Sequence, residues 1–391
     1  MTVNKYRILE EKIKEHFKVN KQIVVLLGAR QVGKTTLLKK LFPDALYLLV
    51  DEKSTIDSLE TYSSDNYRKM IGNYQQILID EIHLIENPGR AVKIIYDQLQ
   101  GIQIIIIGSS SLRIKNKTAE SMAGRAFDYF LYPLTWGEML FQLGIEKETK
   151  LVSVLDKILR LDDQLTFKLY SIDNLVAEVL RYGLYPEIVQ SKNKEDYLKN
   201  LAQKVIFKDI IELDLIDNRS KALELLKVLA YQIGNVINYA EISRKISLSI
   251  PTVQRYIDIF EQSFLLYRLF PFSKNKRDEI GKSPKIYFWD LGLRNGLIEN
   301  FDNINLRQDR GAMFGNFIIS EVKKELGYSG SNLKANYWRT KSGSEVDLIL
   351  SNYKTLIGVE IKFKKGNFSL AFKNRYPDAK KIVINSENFF G

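Results

Sequence analysis

The sequence predicts an α/β protein that begins with a parallel sheet and continues into helical and further α/β parts. A short, apolar, β-branched run at 23–27 is followed by a glycine-rich turn and then by helical spacing at 35–41. Further apolar runs of strand length follow at 45–51, 76–81 and 102–107, separated by polar stretches. Such an alternation of buried strands and helices is typical of a parallel sheet.

The turn after the first predicted strand has the pattern of a phosphate-binding loop. It reads Gly-x-x-x-x-Gly-Lys-Thr, and its glycines let successive backbone N–H groups point to one centre. Those groups, with the positive end of the next helix, bind a β-phosphate. Lys34 can reach the β- and γ-phosphates, and the Thr35 hydroxyl is a Mg²⁺ ligand. The predicted nucleotide-binding residues are Gly28, Ala29, Arg30, Gln31, Val32, Gly33, Lys34, Thr35 and Thr36.

Two acids end the predicted strand at 76–81. Asp80 can hold the Mg²⁺ shell, and Glu81 can polarise the attacking water as the catalytic carboxylate. Two acids after a strand are common in proteins. Here they follow Lys34 within a strand–helix alternation, where a second nucleotide motif is expected.

Two interpretations are possible for the serines after the predicted strand at 102–107, and two for Arg125. Ser109 or Ser110, after the strand at 102–107, can sense the γ-phosphate, or both can belong to a plain serine turn. Arg125 precedes a strand at 127–131. It can be a catalytic arginine finger that reaches a neighbouring subunit's nucleotide, which would imply a homo-oligomer, or a surface residue that pairs with an acid.

Composition limits the class of protein. The chain has 391 residues, which predicts about two to four domains. No apolar run approaches the roughly twenty residues of a membrane span, and the first ten residues do not read as a signal peptide. Cysteine is absent and only His16 and His83 occur, which excludes disulfides and thiolate zinc sites. We expect a cytoplasmic protein without a membrane partner.

Charge favours a polyanionic partner. The net charge is +11, and the isoelectric point is near 9.3. The excess is uneven, because residues 331–391 carry 11 Lys and Arg against 5 Asp and Glu. DNA is the expected partner, and a solvated basic surface is the alternative.

The second half of the chain begins with helical segments. Residues 141–215 read as helices with a break at 182–186, and we expect them to form the lid of the nucleotide domain. Residues 216–290 read as three helices and a strand hairpin with a basic tip, an order that resembles a winged helix. Winged helices bind DNA or serve as protein adaptors. The candidate DNA contacts are Thr252, Gln254 and Arg255 in the third helix and Lys274, Lys276 and Arg277 at the tip.

The last segment places two acids and a lysine on predicted strands. Glu360 and Lys362 are two residues apart on one strand, so they point to the same face. Asp347 lies on the preceding strand, across a predicted hairpin. Asp347 followed by Glu360-x-Lys362 resembles the PD-(D/E)XK nuclease core, in which two carboxylates bind Mg²⁺ and the lysine orients or activates water.

Together these motifs resemble the archaeal-type AAA+ (P-loop, ASCE) ATPases with a winged-helix and a C-terminal nuclease-like domain. The matching segments are Gly28–Thr35, Ile77–Glu81 with His83, Gly108-Ser109-Ser110, Gly124-Arg125 and Tyr132-Pro133-Leu134. The resemblance implies ATP as ligand, Glu81 as catalytic carboxylate, and a five-stranded parallel sheet whose sensor strand lies between the two nucleotide strands. The expected division is an AAA+ domain at 1–140, a lid at 141–215, a winged helix at 216–290 and a restriction-endonuclease-like α/β domain at 291–391.

The sequence departs from that family in one helix. The family reads Gly-x-x-x-Glu-Asn there, whereas this chain has Gly315 before Asn316, and Glu321 six residues further on points to a different face. We expect an ATPase, with ATP and Mg²⁺, that acts on DNA, and phosphodiester cleavage is an open question. An ATP-gated DNA-binding or signalling switch with an inert nuclease-like domain and an ATP-dependent protein remodeller are the alternatives.

Overall fold

A computed structural model describes residues 6–108, 122–145, 153–160, 172–205, 216–273, 283–364 and 366–385. The chain divides into two units. The first contains residues 1–134 and 262–264, and the second contains residues 135–261 and 265–391. None of the described helices is long and apolar enough to cross a membrane.

The first unit is built on a five-stranded, fully parallel sheet with the order β2-β3-β4-β1-β5. Its strands are β1 (Ile23–Leu27), β2 (Leu46–Leu49), β3 (Gln76–Asp80), β4 (Gln103–Gly108) and β5 (Ala126–Phe130). Its helices are α1 (Leu9–Val19), α2 (Lys34–Leu41), α3 (Lys53–Leu59), α4 (Ser64–Ile71) and α5 (Pro88–Gln98).

The strand order confirms the arrangement that the family resemblance implied. β4, which precedes the two serines, lies between β1 and β3, the strands that lead into the two nucleotide motifs. All five residues of β1 are buried, as expected for the centre of a sheet covered on both faces. The observed strands are shorter than predicted at 45–51, where only four residues pair, and at 76–81, where pairing ends at Asp80.

The second unit begins with helices and ends with a mixed sheet. Its helices are α6 (Trp136–Gln142), α7 (Val154–Arg160), α8 (Ile172–Tyr182), α9 (Pro186–Gln190), α10 (Lys194–Val205), α11 (Arg219–Tyr231), α12 (Tyr239–Ile246), α13 (Ile250–Gln262), α14 (Leu291–Ile298), α15 (Arg310–Ser329) and α16 (Leu370–Arg375). Its strands are β6 (Leu266–Leu269), β7 (Lys285–Phe288), β8 (Lys334–Arg339), β9 (Glu345–Ser351), β10 (Leu356–Lys362) and β11 (Lys380–Asn385).

Helices α11, α12 and α13 are followed by the antiparallel pair β6–β7, as the sequence predicted. A contact that the sequence did not predict joins Val236, between α11 and α12, to Lys285 of β7 as an isolated antiparallel bridge. The chain after β6 also pairs with β8: the amide of Phe272 donates to the Tyr337 carbonyl at 2.5 Å, and the Tyr337 amide donates to the Phe270 carbonyl at 3.0 Å. Backbone hydrogen bonds therefore join the hairpin to the last sheet.

The last sheet has the order β11-β10-β9-β8. The pairs β8–β9 and β9–β10 are antiparallel, whereas β11 runs parallel to β10 and is reached through α16. The sequence analysis did not predict α16 or β11. An aromatic core on one face explains why they are present, because Trp338 of the sheet packs edge-on against Phe372 of α16, with ring centroids 5.2 Å apart.

Helix α15 carries two buried acids one turn apart that accept hydrogen bonds from the starts of two other helices. Glu321 accepts from the amide of Trp136, the first residue of α6, at 2.6 Å. Glu325 accepts from Val154 and Leu155 at the start of α7, at 3.0 and 2.7 Å. Burial raises the pKa of Glu325 to about 8. The first amides of a helix have no partner within the helix, and they lie at the positive end of the helix dipole. A carboxyl group is therefore a suitable hydrogen-bond acceptor there.

Asp309, next to the start of α15, binds two buried arginines. Its carboxylate oxygens lie 2.7 Å from Arg294 and 2.7 and 2.8 Å from Arg307. Burial alone would raise the pKa of Asp309, but the hydrogen bonds and charges of the two arginines outweigh it and lower the pKa to about 2. The folded state therefore holds this carboxylate ionised more strongly than the unfolded chain does.

We expect Asp309 to contribute stability above about pH 4 and to lose that contribution as the pH falls toward 2, because its folded pKa is depressed. The contribution is about 1–2 kcal/mol after allowance for solvent at its partly exposed carboxylate. Urea unfolding of the wild type and of Asp309→Asn between pH 6 and pH 3 measures it. A stability difference between the two proteins that stays constant over this range would contradict the assignment.

Candidate active site

The phosphate loop occupies residues 28–33, between the end of β1 and Lys34, the first residue of α2. A Cβ atom on Gly28 would lie 2.1 Å from the carbonyl oxygen of Leu131, so the backbone passes too close for any side chain. Gly33 has φ +93°, in the left-handed region that favours glycine, and from there the chain enters α2. The strand, loop and helix are present where the sequence predicted them.

The side chain of Lys34 folds back over this loop. Its ammonium group donates to the carbonyl oxygens of Gly28 and Ala29, at 2.9 and 2.8 Å, and the residue is only 9% exposed. Because Lys34 is also the first residue of α2, its charge and the positive end of the helix dipole favour an anion in the same place. A phosphate oxygen would bind the ammonium more strongly than a neutral carbonyl does.

The structure brings Thr35 and Asp80 together at the carboxyl end of the sheet. Asp80 ends β3, and its Oδ2 accepts a hydrogen bond from the Thr35 hydroxyl at 3.1 Å. Sequence analysis missed a third member, Tyr47 of β2, whose hydroxyl donates to the same oxygen at 2.8 Å. Burial, and then the Asp80 acceptor, raise the pKa of the Tyr47 phenol, so it keeps its proton and acts as the donor.

Glu81 follows β3 directly and has a left-handed backbone conformation, with φ +57°. This conformation costs a non-glycine residue about 1–3 kcal/mol, and such residues cluster at functional sites. The Glu81 side chain is about a quarter exposed, and its Oε2 lies 3.3 Å from Nδ1 of His83, which is buried. Glu81 thus lies next to Asp80 with its side chain partly exposed and its Oε2 buried.

Arg7, which the sequence analysis did not single out, contacts the phosphate loop. It lies just before α1 and is 4% exposed. Its guanidinium donates to the carbonyl oxygen of Val32 in the loop at 2.7 Å and to that of Tyr132 after β5 at 2.5 Å. It therefore ties the loop to the same backbone segment, at Leu131, that passes close to Gly28.

The donor set at this site fits a magnesium ion. Thr35 and Asp80 offer oxygen atoms, which Mg²⁺ prefers, and Mg²⁺ usually combines one or two protein ligands with phosphate oxygens and water. Among the described residues, no group of three or more His, Cys, Asp or Glu side chains is arranged to hold a metal ion.

Arg125 lies at the amino-terminal ends of β1 and β5, whereas the phosphate loop follows the carboxyl-terminal end of β1. Its carbonyl accepts from the amide of Ile23, where β1 begins. Its guanidinium forms two hydrogen bonds to Asp97 of α5, at 3.0 and 3.1 Å. The structure thus shows the surface ion pair, and contact with another subunit's nucleotide stays a prediction. The candidate sensors Ser109 and Ser110 lie outside the described residues.

Asp347, Glu360 and Lys362 form a second polar cluster, in the second unit. The Lys362 ammonium lies 2.8 Å from Oε1 of Glu360 and 3.6 Å from Oδ2 of Asp347. Asp347 Oδ2 also accepts from the amide of Ile361 at 2.8 Å. Glu360 is 6% exposed, and its Oε2 has no hydrogen-bond partner in the part of the chain that the structure describes.

Charge balance in this cluster sets the protonation of its lysine. Burial raises the pKa of Glu360, although Lys362 opposes the shift. Burial alone would lower the pKa of Lys362, but Asp347 and Glu360 outweigh it and raise the pKa. Lys362 therefore stays charged near neutral pH, and it can orient water or stabilise negative charge but cannot take up a proton.

Gly315 and Glu321, the two positions of α15 considered for a further acid in this cluster, differ in their surroundings. At Gly315, in α15, an added Cβ would meet nothing within 4 Å, so the helix has room there for the missing acid. Glu321 is fully buried, and its carboxylate is engaged with the Trp136 amide and with Lys324 at 2.8 Å. The cluster therefore contains two carboxylates from β9 and β10 and none from Glu321.

The candidate DNA contacts in α13 differ in whether their side chains already contact other residues of the protein. Gln254 is exposed. Thr252 hydrogen-bonds the hydroxyl of Ser249 at 2.8 Å, and Arg255 pairs with Asp217. The candidates at the hairpin tip, Lys274, Lys276 and Arg277, lie outside the described residues.

Comparison with known families bears on the first unit directly. Residues 20–140 match a family model described as an AAA domain. Residues 20–140 have an AAA-like P-loop fold. The match covers the phosphate loop, the acids after β3 and the whole five-stranded parallel sheet. Residues 162–304 and 310–389 match two domains of unknown function, DUF8612 and DUF4143.

Curated relatives align along almost the whole chain. An uncharacterized protein of Methanocaldococcus jannaschii is 26% identical over 98% of this chain and 85% of its own length. Uncharacterized proteins of Haemophilus influenzae and Mycobacterium tuberculosis are 22% and 24% identical, covering 95% and 87% of this chain and 91% and 70% of their own. In each of these relatives the alignment therefore extends well beyond residues 20–140.

Solved structures with partial similarity contain nucleotide domains. A Walker-type ATPase of Pyrococcus abyssi is 13% identical, with a TM-score of 0.48 over 74% of this chain and 94% of that protein. DnaA of Aquifex aeolicus bound to AMPPCP is 16% identical, with a TM-score of 0.27 over 65% of this chain and 87% of that protein. Because both scores are below 0.5, the AAA assignment rests on the domain match and on the strand order.

Proposed function

We propose that this chain binds ATP with Mg²⁺ at the phosphate loop and hydrolyses it. The observation that carries the proposal is the convergence of Thr35 and Asp80, 3.1 Å apart, beside the buried ammonium of Lys34. Lys34 and Thr35 belong to α2 and Asp80 ends β3, so the set joins segments that lie apart in the sequence, which a chance glycine-rich turn does not do. The AAA domain match supports the same conclusion.

The side chains divide the work of hydrolysis. Lys34 exchanges its two backbone carbonyl partners for phosphate oxygens and compensates their charge. Thr35 and Asp80 would hold Mg²⁺, which would compensate the negative charge that develops on the phosphate. Glu81, next to Asp80 and partly exposed, takes a proton from the attacking water. Arg7 stabilises the conformation of the loop through its hydrogen bond to the Val32 carbonyl.

Direct measurement on the purified protein tests this proposal. Titration calorimetry with ATP and ADP, in Mg²⁺ and in EDTA, measures binding, and phosphate release measures hydrolysis. We expect binding of both nucleotides and Mg²⁺-dependent release of phosphate from ATP. A protein that binds neither nucleotide would overturn the proposal.

For the second unit we propose action on DNA. Support comes from the basic last segment and from the order of α11–α13 and β6–β7, which resembles a winged helix. DNA affinity that falls with salt and changes with bound nucleotide would support this proposal. ATPase activity that is insensitive to DNA, without measurable DNA binding, would favour a protein remodeller instead.

The cluster of Asp347, Glu360 and Lys362 favours phosphodiester cleavage as the chemistry of the last sheet. The buried Glu360 Oε2, which has no hydrogen-bond partner among the described residues, and the nearby Asp347 carboxylate are suited to a divalent cation. The alternative is an inert cluster within a domain that only grips DNA.

We expect Asp347→Asn to reduce any Mg²⁺- or Mn²⁺-dependent DNA cleavage by at least about 100-fold, because it removes a charged metal ligand. A labelled panel of single-stranded, duplex and branched DNA, with and without ATP, measures the change. Asp378→Asn, an exposed acid in the same segment, is the matched control and should cleave normally. If the wild type binds DNA but does not cleave it, the last domain is a gripping module.

A further inference from the structure

Tyr47 and Thr35 share one acceptor. Both hydroxyl groups donate to Oδ2 of Asp80, Tyr47 at 2.8 Å and Thr35 at 3.1 Å. Asp80 is 8% exposed, so this arrangement lies at the buried end of β3. A carboxylate with two donors on one oxygen cannot rotate about its Cβ–Cγ bond without breaking both hydrogen bonds.

The sheet explains how Tyr47 reaches Asp80. β2 lies next to β3, and in the parallel register Leu49 is opposite Asp80 while Tyr47 is opposite Leu78. Tyr47 is therefore on the same face of its strand as Leu49 and diagonal to Asp80, a separation that long aromatic side chains can bridge. The ring is also held from the helix side, because Lys39 of α2 lies 3.9 Å from its centroid.

We propose that Tyr47 is a positioning residue for the Mg²⁺ site: its hydroxyl and that of Thr35 donate hydrogen bonds to Oδ2 of Asp80, which fixes the carboxylate so that Oδ1 would be available to the hydrated metal ion. A threonine hydroxyl has one proton and two lone pairs. Thr35 can therefore keep its hydrogen bond to Asp80 while a lone pair faces the metal. This inference rests on the proposed function, since it needs a nucleotide with Mg²⁺ in the AAA domain.

Tyr47→Phe tests the inference, because it removes one oxygen atom and keeps the ring. Calorimetry gives the ATP affinity in EDTA and the Mg²⁺ concentration at which the enhancement of binding is half complete. Mn²⁺ in place of Mg²⁺ gives a second readout, since electron paramagnetic resonance counts the free ion directly. We expect ATP affinity in EDTA within about twofold of the wild type and the half-point for either metal raised about three- to tenfold, the range for loss of one ordinary hydrogen bond.

Tyr129→Phe is the matched control. Tyr129 also lies on a strand of this sheet, and its hydroxyl also contacts one side chain, His16, at 3.2 Å. Its loss should leave the metal dependence unchanged. If Tyr47→Phe does not fold, Lys39→Met provides a second test, because it removes the ammonium group that lies 3.9 Å from the Tyr47 ring centroid. Loss of this cation–π contact should hold the ring less firmly and raise the half-point for Mg²⁺ about twofold.

The outcomes separate this inference from the proposed function. A wild type without affinity for ATP in either condition overturns both. If the wild type binds ATP more tightly with Mg²⁺ and Tyr47→Phe shows the same half-point, the role of Tyr47 is wrong and the proposed function stands. Equal weakening of Tyr47→Phe in EDTA and in Mg²⁺ would also overturn the inference, because a general effect on the fold would explain it.

Discussion

Replacing Glu81 with glutamine is expected to slow ATP hydrolysis by about 10²- to 10⁴-fold, the usual contribution of a general base, and to leave ATP binding unchanged. The amide has nearly the same size as the carboxylate but cannot take a proton from water. Lys34, Thr35 and Asp80, which hold the phosphates and Mg²⁺ in the proposed site, are unchanged in this variant. The variant should therefore hold ATP without turning it over.

Single-turnover phosphate release and ATP affinity, measured on the same preparation, check this prediction. Glu86→Gln is the control, because Glu86 is an exposed residue five positions further along and this substitution removes the same charge. Hydrolysis at the wild-type rate in Glu81→Gln would remove Glu81 from the role of base. Loss of ATP binding would instead show that the left-handed turn at Glu81 supports the loop.

Replacing Lys34 with alanine is expected to weaken ATP and ADP binding by about 10- to 100-fold, the range expected for loss of a charge-assisted hydrogen bond. In the structure the ammonium is buried and already bound to two loop carbonyls, so it is held at the phosphate site before nucleotide arrives. Little further ordering of the side chain is needed on binding, which keeps its contribution large.

Titration with ATP, ADP and adenosine measures the effect of Lys34→Ala. Because Lys34 acts on phosphate, the variant should lose affinity for ATP and ADP, and any affinity for adenosine should not change. Lys53→Ala, an exposed lysine at the start of α3, is the control. Tight ATP binding by Lys34→Ala would count against the assignment of the loop.

Local patterns explain why part of this site could be predicted from sequence. The strand at 23–27, the glycines of the loop and the start of α2 depend on neighbouring residues, so spacing and residue type identify them. Asp80 could be placed because parallel strands end at one edge of a sheet.

Contacts that join distant segments could not be predicted in the same way. Tyr47 becomes part of the site only because β2 lies beside β3, and no property of β2 alone shows this. Arg7 contacts a carbonyl 125 residues further along the chain, at Tyr132. Asn316 uses its side-chain amide to pair with the backbone N–H and C=O of Phe288, both at 2.8 Å, which is visible only after α15 and β7 have packed. Tertiary packing decides all three.

The two acids of α15 also set an order of events during synthesis. Glu321 is 185 residues from Trp136, and Glu325 is 170 residues from Leu155. At a translation rate of about 5–20 residues per second, the starts of α6 and α7 leave the ribosome roughly 10–40 s before their acceptors. During this interval all five strands of the parallel sheet have already been synthesised, whereas α6 and α7 still lack their acceptors. In a nascent chain halted before α15, we therefore expect the parallel sheet to be protected from protease and α6 and α7 to be cleaved.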